Sequence, residues 1–310
     1  MHLYIYISIL ILLIIIITAI IAAVSGGEKS VINGDVRDNA PGNFIKLSDG
    51  YTHYDISGRA DNPVVLFIHG FSVPYYMWDK TFHSITEAGY KTIRYDTYGR
   101  GLSDRPYAEY NEELFVRQII ELLDSLGIND KISIIGTSMG GAVTAAFAAA
   151  YPEKISRLIL IDPVYTAHHI GLQRIPFIGE LIAYHFKIPR FPERQMTDFY
   201  RPENFPEWPG RYREQMKYKG FRRAILSTCR NFLSKDPHPH YELLKKHNKK
   251  ILLIWGKDDK VTPVDGAVKL CSLLSPELLL LDETGHLPHY ERPEIVNPAI
   301  INFLGGIRLY

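Results

Sequence analysis

The chain has 310 residues, 46% hydrophobic and 22% charged, with Lys+Arg 35 against Asp+Glu 34 and a formal net charge of +1. That balance argues against a basic nucleic-acid binder, and 12% aromatic residues argue against a chain too polar to bury a core. Two cysteines, Cys229 and Cys271, cannot build a disulfide scaffold or a four-ligand zinc site and read as ordinary thiols.

The first element is apolar throughout. Leu3 to Val24 contains no Asp, Glu, Lys or Arg, and a helix of that length reaches about 33 Å, enough to cross the hydrocarbon layer. It reads as a retained signal-anchor, a single-pass transmembrane helix within residues 1–27. The run exceeds the roughly 7–15 apolar residues of a cleavable signal, and its start, Met1-His2, lacks a basic side chain. A removed signal peptide is the alternative, with Ala23-Val24-Ser25 as the cleavage site and a secreted product. Lys29 and Arg37 downstream weakly favour a cytoplasmic body. Residues 28–42 then read as a short polar tether.

Beyond the tether, strands alternate with helices. Val64–Ile68 is a continuous apolar run, as expected of a strand buried on both faces. Tyr90–Tyr95 and Lys131–Ile135 read as further strands, with a helix over Asn111–Leu126 between them and an alanine-rich helix over Gly141–Ala150 after them. Ile155–Ile161, Ile251–Trp255 and Leu278–Leu281 continue the series, and Glu294–Leu304 is a closing helix that Pro298 should bend or break. The pattern predicts a mostly parallel sheet covered on both faces, whose ligands gather at the carboxyl ends of the strands. Residues 163–248 break the rhythm with aromatics, prolines and basic residues. They read as a mostly helical cap over those strand ends, inserted between core segments 43–162 and 249–310.

Four strand ends carry chemistry. Gly136-Thr137-Ser138-Met139-Gly140 lies between a strand and a helix, the setting of a nucleophile elbow. Ser138 is the candidate nucleophile, and the Met139 N–H, at the helix start, a candidate oxyanion donor. A serine hydroxyl needs a base, and the base an orienting acid. Gly285-His286 follows the last strand and offers His286 as base, with His289 the competing choice. Asp258-Asp259 follows the Ile251–Trp255 strand, and Asp259 is favoured over Asp258 as the acid. His69-Gly70-Phe71 follows the first buried strand; the Phe71 N–H is the second candidate oxyanion donor, and His69 reads as structural. Gly99-Arg100-Gly101 reads as a turn beneath that loop, since no GK[ST] of a phosphate loop accompanies it.

In combination the ordered motifs His69-Gly70-Phe71, Asp96-x-x-Gly99-x-Gly101-x-Ser103, Gly136-x-Ser138-x-Gly140, Trp255-Gly-x-x-Asp259-x-x-x-Pro263 and Gly285-His286 resemble the α/β-hydrolase superfamily, from Asn43 to about Leu304. The nearest resemblance is to its esterase, monoacylglycerol-lipase and C–C-bond hydrolase branch, with a helical cap after strand six. The resemblance implies a Ser138–Asp259–His286 triad, oxyanion donors Phe71 and Met139, and no metal or organic cofactor. Serine at the elbow departs from the haloalkane dehalogenase and soluble epoxide hydrolase branches, whose nucleophile is aspartate. Leu287 departs from the tryptophan that follows the base in many ring-cleavage C–C hydrolases. The expectation is a serine hydrolase of carboxylic esters, with a hydrophobic or lipid substrate under a cap rich in Phe177, Ile178, Leu181, Ile182, Tyr184 and Phe186. A C–C, thioester or amide hydrolase, or a ligand-binding receptor on the same fold, stays open.

Overall fold

The computed structural model describes residues 2–24 and 27–306 and, within the first helix, the side chains of Tyr4 to Ile16. Eight strands form one sheet: β1 (Asn43–Leu47), β2 (Gly50–Ser57), β3 (Val64–Ile68), β4 (Lys91–Tyr95), β5 (Ile132–Thr137), β6 (Ile155–Ile161), β7 (Lys250–Gly256) and β8 (Glu277–Leu281), in the order β1-β2-β4-β3-β5-β6-β7-β8. β1 and β2 pair antiparallel, as do β2 and β4, and the remaining pairs are parallel. The β1–β2 hairpin was not anticipated, although Ser48-Asp49-Gly50 before the alternating Tyr51–Ile56 is a turn signal that could have found it.

Buried strands alternate between two cores. Leu66, Ile68, Ile134, Leu158, Leu160, Leu253 and Trp255 face one side, with the helices Glu112–Ser125, Met139–Ala150 and Asp265–Leu274. Val65, Phe67, Ile135, Ile159, Ile161, Leu252 and Ile254 face the other, with Asp79–Glu87 and Pro293–Gly305. Both faces are apolar, so the strands read as unbroken apolar runs rather than alternating ones. Pro298 sits inside the last helix, which continues past it.

Between β6 and β7 the chain is helical, including Trp208–Met216, Phe221–Thr228 and His238–His247. Trp208, Tyr212, Phe221 and Ile225 of this cap join the second core. His238–His247 instead lies against the helix after β5, burying Tyr241 and Leu244 in the first.

Two expectations at the N-terminus change. The first helix runs His2–Val24, yet among the described residues no helix is long and apolar enough to cross a membrane. Every side chain from Tyr4 to Ile16 is exposed. Nor do residues 28–42 run free. The Glu28 carboxylate accepts from the backbone N–H groups of Gly220 (2.7 Å) and Arg222 (2.6 Å), which open the helix Phe221–Thr228. Ser30 bridges to Tyr218, and Arg37 pairs with Asp104 at 2.7 Å. Charge-assisted bonds to a helix start dock this segment on the cap.

Candidate active site

β5 delivers Ser138 with φ 54° and ψ −121°. For a non-glycine residue such a backbone costs about 1–3 kcal/mol and persists only where its surroundings impose it. Here the Ser138 N–H donates to the Ile161 C=O (2.9 Å), and the Ser138 C=O accepts from Gly141 (3.0 Å) and Val164 (3.0 Å). The motif glycines are required by close approach: a Cβ on Gly136 would strike the Gly140 carbonyl and Thr144, and one on Gly140 the carbonyls of Ile68 and His69. Met139 opens the helix Met139–Ala150, so its N–H has no acceptor within that helix. The loop after β3 passes directly over the elbow, and a Cβ on Gly70 would lie 3.5 Å from that of Ser138.

Asp259 follows β7 and His286 follows β8, two and three strands further along the sheet, and His286 Nδ1 lies 2.6 Å from Asp259 Oδ2. Asp259 accepts at Oδ1 from the N–H groups of Val261 (2.7 Å) and Thr262 (3.0 Å), and at Oδ2 from the Thr262 hydroxyl (2.7 Å). Asp258 is exposed, so Asp259 is the carboxylate that faces the imidazole. Burial works against the charged form of both partners. The Asp259 charge and hydrogen bond nevertheless hold the His286 pKa above its usual 6.5, and His286 with Thr262 holds the Asp259 pKa below 3.8. His286 is fixed from behind: its N–H donates to the Asp198 C=O (2.6 Å), and Glu291 accepts from Gly285 (2.8 Å) and Tyr200 (2.7 Å).

The histidines left aside have other surroundings. His289 is buried against Trp78, ring centroids 4.3 Å apart, with neither ring nitrogen hydrogen-bonded, and burial lowers its pKa to about 3. His69 accepts the Thr97 N–H at Nε2 (2.9 Å), so Nδ1 carries the proton and donates to the Gly70 C=O (2.7 Å). Burial lowers its pKa to about 4, and the neutral ring braces the loop that carries Phe71.

Several residues here were missed from sequence. Arg100, in the turn beneath the loop, donates to the Phe71 C=O (2.8 Å) and to the Thr228 hydroxyl of the cap (2.9 Å). Gln215, also in the cap, donates to the Ser72 C=O (2.7 Å) and accepts from Gly101 N–H (3.1 Å). Thr262 and Asp162 complete the acid's surroundings; a carboxylate directly after the buried run Ile155–Ile161 was the available signal for Asp162.

One polar atom each of Asp162, Asp259 and His286 lie within 4.8 Å of one another, the one such grouping among the described residues. The 2.6 Å contact between His286 and Asp259 is a direct hydrogen bond, which leaves no room for a cation between them. The cap residues expected to line an apolar site turn outward in part: Phe177 is 87% and Phe186 53% exposed. A cavity of about 860 Å³ opens elsewhere, lined by Asp35, Pro41, His53, Tyr75, Arg211 and Tyr218 among others, and Ser138, Asp259 and His286 do not line it.

A family model described as the alpha/beta hydrolase fold matches residues 63–293. The chain is 30% identical over 277 residues to the 2-hydroxy-6-oxo-6-phenylhexa-2,4-dienoate hydrolase of Comamonas testosteroni, covering 83% of this chain and 92% of that one. It is 29% identical over 286 residues to epoxide hydrolase 4 of Mus musculus, covering 84% and 79%. To the monoacylglycerol lipase abhd6-B of Xenopus laevis it is 28% identical over 271 residues, covering 82% and 79%.

Proposed function

The chain belongs to the alpha/beta hydrolase fold family, and from that premise we propose that it is a serine hydrolase of carboxylic esters, with hydrophobic or lipid esters such as monoacylglycerols as substrates. One observation carries the reading: a serine on a left-handed backbone at a helix start shares a sheet edge with an imidazole whose Nδ1 is bound to a carboxylate. In this mechanism His286 Nε2 takes the Ser138 proton as Oγ attacks the ester carbonyl. Asp259 holds the tautomer and stabilises the imidazolium, and the N–H groups of Phe71 and Met139 receive the oxyanion. The alkoxide leaves with the proton from His286. Water then attacks the acyl-enzyme, giving its proton to the same nitrogen and releasing the acid and Ser138. Similarity to a monoacylglycerol lipase supports a lipid ester.

The 30% identity to a dienoate hydrolase favours a second reading, cleavage of a carbon–carbon bond beside a ketone on the same three residues. Association with a membrane through the N-terminal helix is part of the proposal. Its support is the uncharged run Leu3–Val24 and the exposure of Tyr4 to Ile16.

The test is fluorophosphonate labelling of the detergent-solubilised full chain and of Ser138→Ala, followed by turnover of monoacylglycerols, aryl esters and a dienone acid. Labelling of wild type alone with ester turnover is the expected result. Turnover of the dienone alone moves the second reading to the front. Neither labelling nor turnover, with a small ligand raising Tm, would make the protein a receptor instead.

A further inference from the structure

Asp162 is a buried carboxyl beside the acid–base pair that the mechanism above does not use. It directly follows β6 in a left-handed conformation (φ 42°), which aspartate tolerates better than most residues. Its N–H donates to Ile254 C=O (3.0 Å), its C=O lies 3.1 Å from the Thr262 hydroxyl oxygen, whose proton goes to the nearer Asp259, and Oδ1 accepts from Gly256 N–H (3.0 Å). The residue thereby contacts both ends of the loop that carries Asp259, its carboxyl at Gly256 and its backbone at Thr262. Its other oxygen, Oδ2, is buried and receives no hydrogen bond. The titratable groups facing it are Asp259 from the β7 loop, His286 from the β8 loop and Glu291 from the short helix Pro288–Glu291; Asp198 of the cap faces the same imidazole. Among the described residues no lysine or arginine forms an ion pair with Asp162.

Two buried carboxylates within 4.8 Å, sharing one histidine, repel each other and favour a proton on one of them. The histidine's hydrogen bond goes to Asp259, so the proton belongs on the other member. We propose that Asp162 is a protonated positioning residue, whose Oδ2–H points at the Asp259 carboxylate and holds it against His286. The proton turns an orphaned acceptor into a donor and leaves Asp259 as the ionised member of the pair behind the imidazole. Burial and the nearby Asp259 charge both push the Asp162 pKa well above 3.8, the same direction. Its role in tuning the base, though not its proton, rests on the serine-hydrolase reading.

The proton is tested without catalysis. An acid whose folded pKa is raised stabilises the fold fully below its unfolded value of 3.8, and that stability is lost as pH rises toward the folded pKa. Asp162→Asn keeps the shape, the acceptor and a donor but cannot titrate. Between about pH 5 and 8 its unfolding equilibrium, relative to wild type in the same detergent, should shift toward the folded form by up to about tenfold per pH unit. A difference that is flat across this range overturns the proposal. A carbonyl band of a protonated carboxyl, present at neutral pH in wild type and absent from Asp162→Asn, is the second expected result, and its absence counts against the proton. For the role, Asp162→Asn should keep the acid limb of fluorophosphonate labelling in place, whereas Asp162→Ala should slow labelling about tenfold, as expected when a buried acceptor loses its donor. A downward shift of the limb in Asp162→Asn would mean that wild-type Asp162 is ionised. Loss of labelling in wild type itself would sink the hydrolase reading while leaving the stability test intact.

Discussion

At the scale of single residues, the imidazole's environment makes a directional forecast. His286 must be neutral to accept the Ser138 proton, and its pKa lies above 6.5 because the Asp259 charge and hydrogen bond outweigh the larger single effect of burial. The acid limb of labelling should therefore centre above pH 6.5 in wild type. In Asp259→Asn the largest raising partner and its hydrogen bond are gone, leaving the weaker pull of Asp198 and Glu291 against burial, so the limb should fall relative to wild type. The same substitution should cut turnover by about 10⁴-fold, through the wrong tautomer. Asp258→Asn, at an exposed side chain, should leave rate and limb unchanged, and an equal loss in both variants would remove Asp259 from its role.

At the scale of elements, the loop after β3 depends on the cap. Its carbonyls at Phe71 and Ser72 are held by Arg100, itself bonded to Thr228, and by Gln215. The donor geometry at Phe71 is thus tied to the seating of the helices Trp208–Met216 and Phe221–Thr228. Gln215→Leu removes the partners of a buried C=O and a buried N–H, which should cost about 1–3 kcal/mol in stability. Labelling should slow by about tenfold or more, as for a misplaced oxyanion donor. Unchanged labelling in a destabilised variant would confine Gln215 to holding the cap down.

At the scale of the whole molecule, two apolar surfaces are left uncovered. One is the N-terminal helix from Tyr4 to Ile16, and the other is the cap edge with Leu172, Ile175, Phe177, Ile178 and Phe186. The bonds of Glu28 to Gly220 and Arg222 bring the chain leaving the helix to the cap. Membrane association should therefore depend on the helix first. The full chain should float with liposomes and withstand carbonate, and removal of residues 1–27, which spares Glu28, should lower the bound fraction at least tenfold. Equal flotation of both forms would discard the helix as the attachment.

The sequence by itself determined the alternation of strands and helices, the helical insertion after Ile161, and the placement of Ser138, Asp259, His286 and Phe71 at strand ends. Each of these is a local matter: the period of apolar residues, a glycine where backbones meet, a polar residue where a buried run stops. The β1–β2 hairpin was missed although its turn signal lies in the chain. Only the tertiary structure decided which aspartate faces His286, that His289 packs against Trp78, that Glu28 and Ser30 bond to the cap and Arg37 to Asp104, and that Phe177 and Phe186 turn outward. It alone tied Arg100 to the cap and brought Gln215 and Asp162 to the site, because their partners lie up to 143 residues away along the chain. Hydrogen bonds and the field of a neighbouring carboxylate act across space, and their strength is set by burial that no short stretch of sequence encodes.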